Sequence, residues 1–105
     1  MTRHDSVATA IDTKQVYYFM MLAKYGSISG AATALGLAQP SVSENIARLE
    51  KKLNTKLAIR SSRGVMLTEA GRFLASEGQA FITMAESLAE SLRQIGERPR
   101  GPVAI

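Results

Sequence analysis

Three residues set the first expectation of chemistry: Ala32, Gly36 four positions on, and Val42 six further. That is the spacing of a helix-turn-helix, and each position has a physical reason. A small residue lets two helices touch, a glycine makes the turn, and an apolar residue seats the second helix. The face presented by that helix carries Pro40, Ser41, Glu44, Arg48 and Lys51. At about 100° per residue these lie opposite Val42, Ile46, Leu49 and Leu53, the stripe that docks. Such a face makes and breaks no bonds. It fits a major groove about 12 Å wide, where base pairs display their donors and acceptors. Directly after comes a hairpin, Lys56 to Thr68, with Ser61, Ser62, Arg63 and Gly64 at a basic tip, which makes the motif a winged one. Arg63 can then lie in or beside a minor groove while the helix occupies the major one.

Four helices must position these groups. The first opens at Asp12, spaced from Gln15 as a capping box, and runs to about Tyr25 before Gly26. Val16, Phe19, Met20 and Ala23 form its apolar stripe. The second is short, with Ser29 as N-cap, Ala31, Ala32 and Leu35 on one side, and Gly36 after it. The third begins at the Gln39-Pro40 step, where the missing proline N–H had no intrahelical partner, and ends near Leu53 with Asn54 as a left-handed cap. Thr68 and Glu69 open the fourth, which continues to about Gly96 before Arg98, Pro99, Gly101 and Pro102 break the pattern.

Composition narrows the function classes. The chain has 105 residues, 46% of them hydrophobic, and a net charge of +4, enough for one small domain with its own core. Residues 12–68 hold Lys14, Lys24, Arg48, Lys51, Lys52, Lys56, Arg60 and Arg63 against Asp12, Glu44 and Glu50, an excess of five. Residues 69–105 are acidic by one. An anionic partner for the first part is expected. With no cysteine and His4 as the sole histidine, a metal cage or a cysteine nucleophile is not expected, nor an enzyme of any kind. No cofactor, no membrane span and no signal peptide are expected, and the location expected is cytoplasmic.

The spaced residues Gly26-Ser27-Ile28-Ser29, Ala31-Ala32, Leu35, Gln39-Pro40-Ser41-Val42-Ser43, Ile46, Leu49-Glu50, Leu53, Leu57, Arg60, Arg63, Val65 and Leu67-Thr68-Glu69-Ala70-Gly71 resemble the N-terminal domain of LysR-type transcriptional regulators. The resemblance covers about residues 13–98. It implies a mainly α fold: a winged helix-turn-helix of three helices plus a two-stranded wing, followed by a long linker helix. It also implies that Gln39, Pro40, Ser41 and Ser43 meet base edges and phosphates, and that Arg63 reaches the minor groove. Gln39 suits adenine, Pro40 a thymine methyl, and the serines phosphate. Ordinary helix capping is the alternative for Gln39 and Ser41. Ser29, Glu44, Arg48 and Lys51 complete the expected DNA-binding set, with Arg48 and Lys51 preferred over Lys52. Three residues depart from the family pattern. Glu44 repels phosphate unless it reaches a cytosine amino group, Asn54 stands for a common glycine, and Ala58 for a common phenylalanine, which leaves the packing under the wing smaller.

Along the fourth helix Leu74, Phe81, Leu88 and Ile95 recur every seven residues, with Gly71, Gly78, Ala85 and Leu92 three residues before each. Such a seam predicts pairing with the same helix of a second subunit, the small positions permitting close approach; packing back on its own domain is the alternative. The resemblance adds that linker helices pair antiparallel and place two winged domains on an interrupted palindrome. The expected organisation is a flexible tail over residues 1–12, the winged domain over 13–68, the linker helix over 69–97, and from 98–105 a hinge and the start of a missing effector-binding domain. A small-molecule inducer would act only through that missing domain. The partners expected are therefore double-stranded DNA and a second copy of the chain. The competing reading is an interaction module whose long helix recruits a protein; the placement of positive charge on the winged part argues against it.

Overall fold

The computed structural model describes residues 11–99. Four helices and a two-stranded hairpin follow one another: α1 (Thr13–Tyr25), α2 (Ile28–Leu35), α3 (Gln39–Leu53), β1 (Ala58–Ser61), β2 (Gly64–Leu67) and α4 (Glu69–Glu97). The mainly helical winged architecture expected from the sequence is present.

Asp12 caps α1 by accepting from the Gln15 backbone N–H at 2.8 Å. The reciprocal half of the capping box is not made. Gln15 turns inward, nine-tenths buried, and its side-chain oxygen accepts from Lys52 at 3.1 Å. Ile11, which the expected tail included, packs against the core; residues 1–10 of that tail lie outside the described residues. The buried face of α1 is Val16, Phe19 and Leu22, rotated from the expected stripe so that Met20 and Ala23 are only half-buried. The cause is that α1 is the central helix, with α2, α3 and α4 packed around it.

The turn of the helix-turn-helix has the chemistry its sequence suggests. Ala31 and Ala32 are buried, and Gly36 sits in the left-handed region at φ 67°. Its N–H reaches back to the carbonyls of Ala32 and Thr33, and Leu37 N–H to Ala32, which together end α2. One correction concerns the start of α2. Ser27 is the N-cap, accepting from Gly30 N–H at 3.0 Å, whereas Ser29 lies inside the first turn and is exposed. Gly26 ends α1 one residue before Ser27, so the chain has room for a cap there and no need of a later one. In α3 the first helical residue is Gln39 and Pro40 the second, both ahead of any intrahelical N–H bond. Val42, Ile46 and Leu49 are buried; Leu53, the fourth member of the expected stripe, is 39% exposed because the helix ends there at Asn54, φ 51°.

The wing pairs antiparallel with Ala58 opposite Leu67 and Ser61 opposite Gly64. Neither tip residue, Ser62 nor Arg63, adopts positive φ; the return is made by Gly64 at φ 117°. Gly64 also has no room for a side chain, since a Cβ would meet the Gly26 carbonyl oxygen at 2.5 Å. Val65 N–H donates to that same oxygen at 3.0 Å, which ties the wing to the end of α1.

Between α3 and the wing the carboxylate of Glu50 holds the chain. Its Oε2 accepts from the backbone N–H groups of Leu57 and Ala58 at 2.8 and 3.2 Å, and its Oε1 pairs with Lys56 at 3.4 Å. Glu50→Ala would orphan two half-buried donors, at a cost of about 1–3 kcal/mol. The expected readout is a lower denaturant midpoint with an unchanged slope. Beside it lies a hollow of about 430 Å³ lined by Leu22, Ile28, Ile46, Ala58 and Val65.

Thr68 starts α4 by three bonds. Its N–H donates to Leu57 O at 3.0 Å, its hydroxyl donates to Lys56 O at 2.7 Å, and its Oγ accepts from Gly71 N–H at 3.0 Å. From there α4 runs 29 residues, about 43 Å at 1.5 Å each. Its first half lies on α1 and its second half projects. From Glu86 to Glu97 every residue of the helix is exposed.

Candidate nucleic-acid interface

The polar face of α3 stands clear of the core: Gln39, Pro40, Ser41, Glu44, Arg48 and Lys51 are all exposed, and Ser43 is half-buried. This follows from the docking stripe. Once Val42, Ile46 and Leu49 are turned to α1 and α2, the opposite side has only solvent to face. Ala38, the N-cap, makes no side-chain capping bond, and neither Gln39 nor Ser41 caps the helix with its side chain. The capping alternative for those two residues therefore fails. The Ser41 carbonyl accepts from the Asn45 side chain at 2.9 Å.

Glu44 and Arg48, one turn apart, form an exposed ion pair at 3.5 Å. The pair neutralises the carboxylate that departs from the family pattern, although it adds little stability at such exposure. The basic residues are not equivalent. Lys51 is exposed, Lys52 turns to Gln15 of α1, and Lys56 is drawn to Glu50. Arg63 stands exposed at the wing tip with its N–H on Ser61 Oγ at 3.2 Å.

One contact joins wing and helix. Arg60 on β1 donates from its guanidinium to Ser43 Oγ on α3. Ile28, Gln39, Pro40, Ser43 and Arg60 line a single open hollow where the starts of α2 and α3 meet the wing. Sequence reasoning assigned Arg60 no role, because its partner lies 17 residues away and no local pattern marks the pair.

On α4 the expected seam divides. Gly71, Leu74 and Gly78 face their own domain. A Cβ on Gly71 would lie 2.0 Å from Leu57 O, one on Gly78 would lie 2.9 Å from Met20 and Val16 side-chain atoms, and Leu74 packs on the core. The small size of the two glycines is a condition of this fold, so it needs no partner helix. Ala85 lines a shallow groove with Tyr17 and Ile82, between α4 and α1. Phe81, Leu88, Leu92 and Ile95 remain on open surface, joined by Phe73 and Met84, 69% and 71% exposed, which heptad spacing had not picked out. Phe73, Met84, Leu88 and Ile95 fall within about 60° of one another around the helix.

Residues 13–72 match the family described as bacterial regulatory helix-turn-helix protein, lysR family. The chain belongs to the LysR family. Among curated relatives, the nitrogen assimilation regulatory protein nac of Escherichia coli is 35% identical over 92 residues, 88% of this chain and 30% of its own length. The regulator BudR of Klebsiella aerogenes is 33% identical over 95 residues, 90% of this chain and 66% of its own. This LysR-family chain thus spans about a third of the length of the first of these relatives. Among solved structures, the DNA-binding domain of CbnR in complex with DNA superposes with a TM-score of 0.77 at 28% identity, covering 83% of this chain and all of that one. The DNA-binding domain of BenM with catB site 1 DNA gives 0.76 at 26% identity, covering 85% of this chain and all of that one. The winged helix-turn-helix with a long C-terminal helix is the LysR fold.

Proposed function

We propose that this chain is the DNA-binding part of a transcriptional regulator. In this reading it acts as a homodimer on an interrupted palindrome of double-stranded DNA. The N-terminal half of α3 enters the major groove and the wing tip lies at the minor groove. The observation that carries the reading is the continuity of α3 with the wing: Gln39, Pro40, Ser43 and Arg60 line one hollow, Ser41 is exposed beside it, and Arg63 is exposed at the tip. The solved DNA complexes of CbnR and BenM support it.

Gln39 offers an amide that can pair bidentately with adenine, Pro40 apolar contact for a thymine methyl, and Ser41 and Ser43 hydroxyls for phosphate. Arg48 and Lys51 add charge along the outer face, with Glu44 tempering Arg48; Ser29, exposed in the first turn of α2, supplies a further hydroxyl. Dimerisation falls to the open surface of α4, through Phe81, Leu88, Leu92 and Ile95 with Phe73 and Met84. An inducer acts through a separate domain, for which relatives about three times as long have room. No catalysis and no cofactor belong to this function, and its location is the cytoplasm.

Selection of sites from a random duplex pool at near-physiological salt tests the reading. An enriched interrupted palindrome is the expected result; retention of every sequence alike would overturn it. Gln39→Ala is then expected to lose about 1–3 kcal/mol of discrimination at one base position while leaving the others unchanged. Competition titrations with single-base variants of the enriched site measure this.

A further inference from the structure

We propose that Arg60 and Ser43 together form a clamp for one phosphate of the DNA backbone. The proposal rests on the DNA-binding reading above, which gives Ser43 a phosphate, and adds Arg60 as the charged partner that fixes which phosphate it is. A helix in the major groove and an adjoining wing tip in the minor groove have a strand of phosphates running between them. What this protein places between α3 and the tip residue Arg63 is Arg60, on β1, with its guanidinium on Ser43.

The chemistry of the pair selects an anion. Ser43 Oγ accepts from Arg60, so its own proton is free to point outward as a donor. Arg60 uses one of five N–H groups on Ser43 and has no acceptor to offer. The two residues thus present donors alone, in the fork that suits a phosphate. Neighbouring carboxylates do not consume it. Glu44 is paired with Arg48, and Glu50, which lines the neighbouring hollow together with Ser43 and Arg60, is held by Leu57 N–H, Ala58 N–H and Lys56. Among the described residues Arg60 has no carboxylate partner. A phosphate carries no sequence information, so the clamp sets register and affinity while Gln39 reads a base.

The test uses the whole chain and two duplexes, one with the site enriched from the random pool and one of mixed sequence. Arg60→Gln is expected to weaken binding to the enriched site roughly tenfold and to reduce the slope of log K against log salt by about 0.9, the share of one phosphate. Arg60→Lys, which keeps the charge and loses the fork, should restore the slope. Ranking of single-base variants of the site should not change in either. For Ser43→Ala, a duplex series with one methylphosphonate per strand position locates the contact. The neutral linkage that costs the unaltered protein most should cost this variant less, and this reading holds even if Arg60→Gln fails to fold. An unchanged salt slope in a folded Arg60→Gln, or equal methylphosphonate profiles for Ser43→Ala and the unaltered protein, would overturn the clamp and leave the DNA-binding reading standing. Failure of the unaltered protein to bind either duplex would overturn both.

Discussion

Gly71→Ala is expected to lower the thermal midpoint by roughly 10 °C or more at fixed protein concentration. Alanine is the better helix former by about 1 kcal/mol, and on propensity alone the substitution would stabilise α4. The added Cβ, however, would lie 2.0 Å from Leu57 O, 3.0 Å from Leu57 C and 3.2 Å from Phe19 Cζ. Two of those atoms are backbone, and Leu57 O is fixed by the Thr68 N–H that starts the helix. Overpacking of this kind costs about 1–3 kcal/mol, and more where the obstacle cannot turn aside. At about 4–8 °C per kcal/mol for a domain of this size, a net loss near 2 kcal/mol gives the stated fall.

The other two glycines of α4 make that expectation sharper. Gly78 faces the tip of Met20, which can move, and Val16 Cγ1, which is stiff; both would be 2.9 Å from a new Cβ. Its alanine variant should lose less than Gly71→Ala. Gly96 has nothing within 4 Å, so Gly96→Ala should be neutral or slightly stabilising. Differential scanning calorimetry of the three variants checks the order. A Gly71→Ala protein as stable as the unaltered one would mean that α4 does not approach Leu57 as closely as described.

These glycines also show where reading the sequence stops. Many local signals were legible: left-handed caps at Gly26, Gly36 and Asn54, the break of α4 after Glu97, and the two-faced α3 are each decided by residues within a turn of one another. The start of α2 was misplaced at Ser29 because two serines flank Ile28 and either suits a cap; the close spacing of Gly26 and Ser27 was the signal for the first. A seven-residue period records that one side of a helix is covered and does not record by what. Gly71 and Gly78 fit a partner helix as well as they fit Leu57 and Met20. The bonds of Glu50 to Leu57 and Ala58, of Gln15 to Lys52 and of Arg60 to Ser43 span 7 to 37 residues with no periodic mark. The polar face of α3 was legible because burial of its other face is a local matter; the joining of that face to the wing was not.

With the glycines assigned to the fold, the homodimer proposed above would rest on the stripe that begins at Phe73 and ends at Ile95, and the double variant Leu88→Glu, Leu92→Glu is expected to abolish it. Both side chains are about 60% exposed and neither lines the groove between α4 and α1. Carboxylates there cost the isolated domain little, since solvent already surrounds the positions. Across a two-fold axis the same two positions enter the interface twice, so four charges would have to be buried against apolar surface. Sedimentation should therefore report the monomer mass with an unchanged thermal midpoint for the winged part. Linking two half-sites multiplies affinity about 10²–10⁴-fold without any new base contact, and the variant should lose that factor on the full palindrome while binding a single half-site as the unaltered protein does. A dimer that survives both glutamates would move the interface to the groove between α1 and α4, where Tyr17, Ile82 and Ala85 lie.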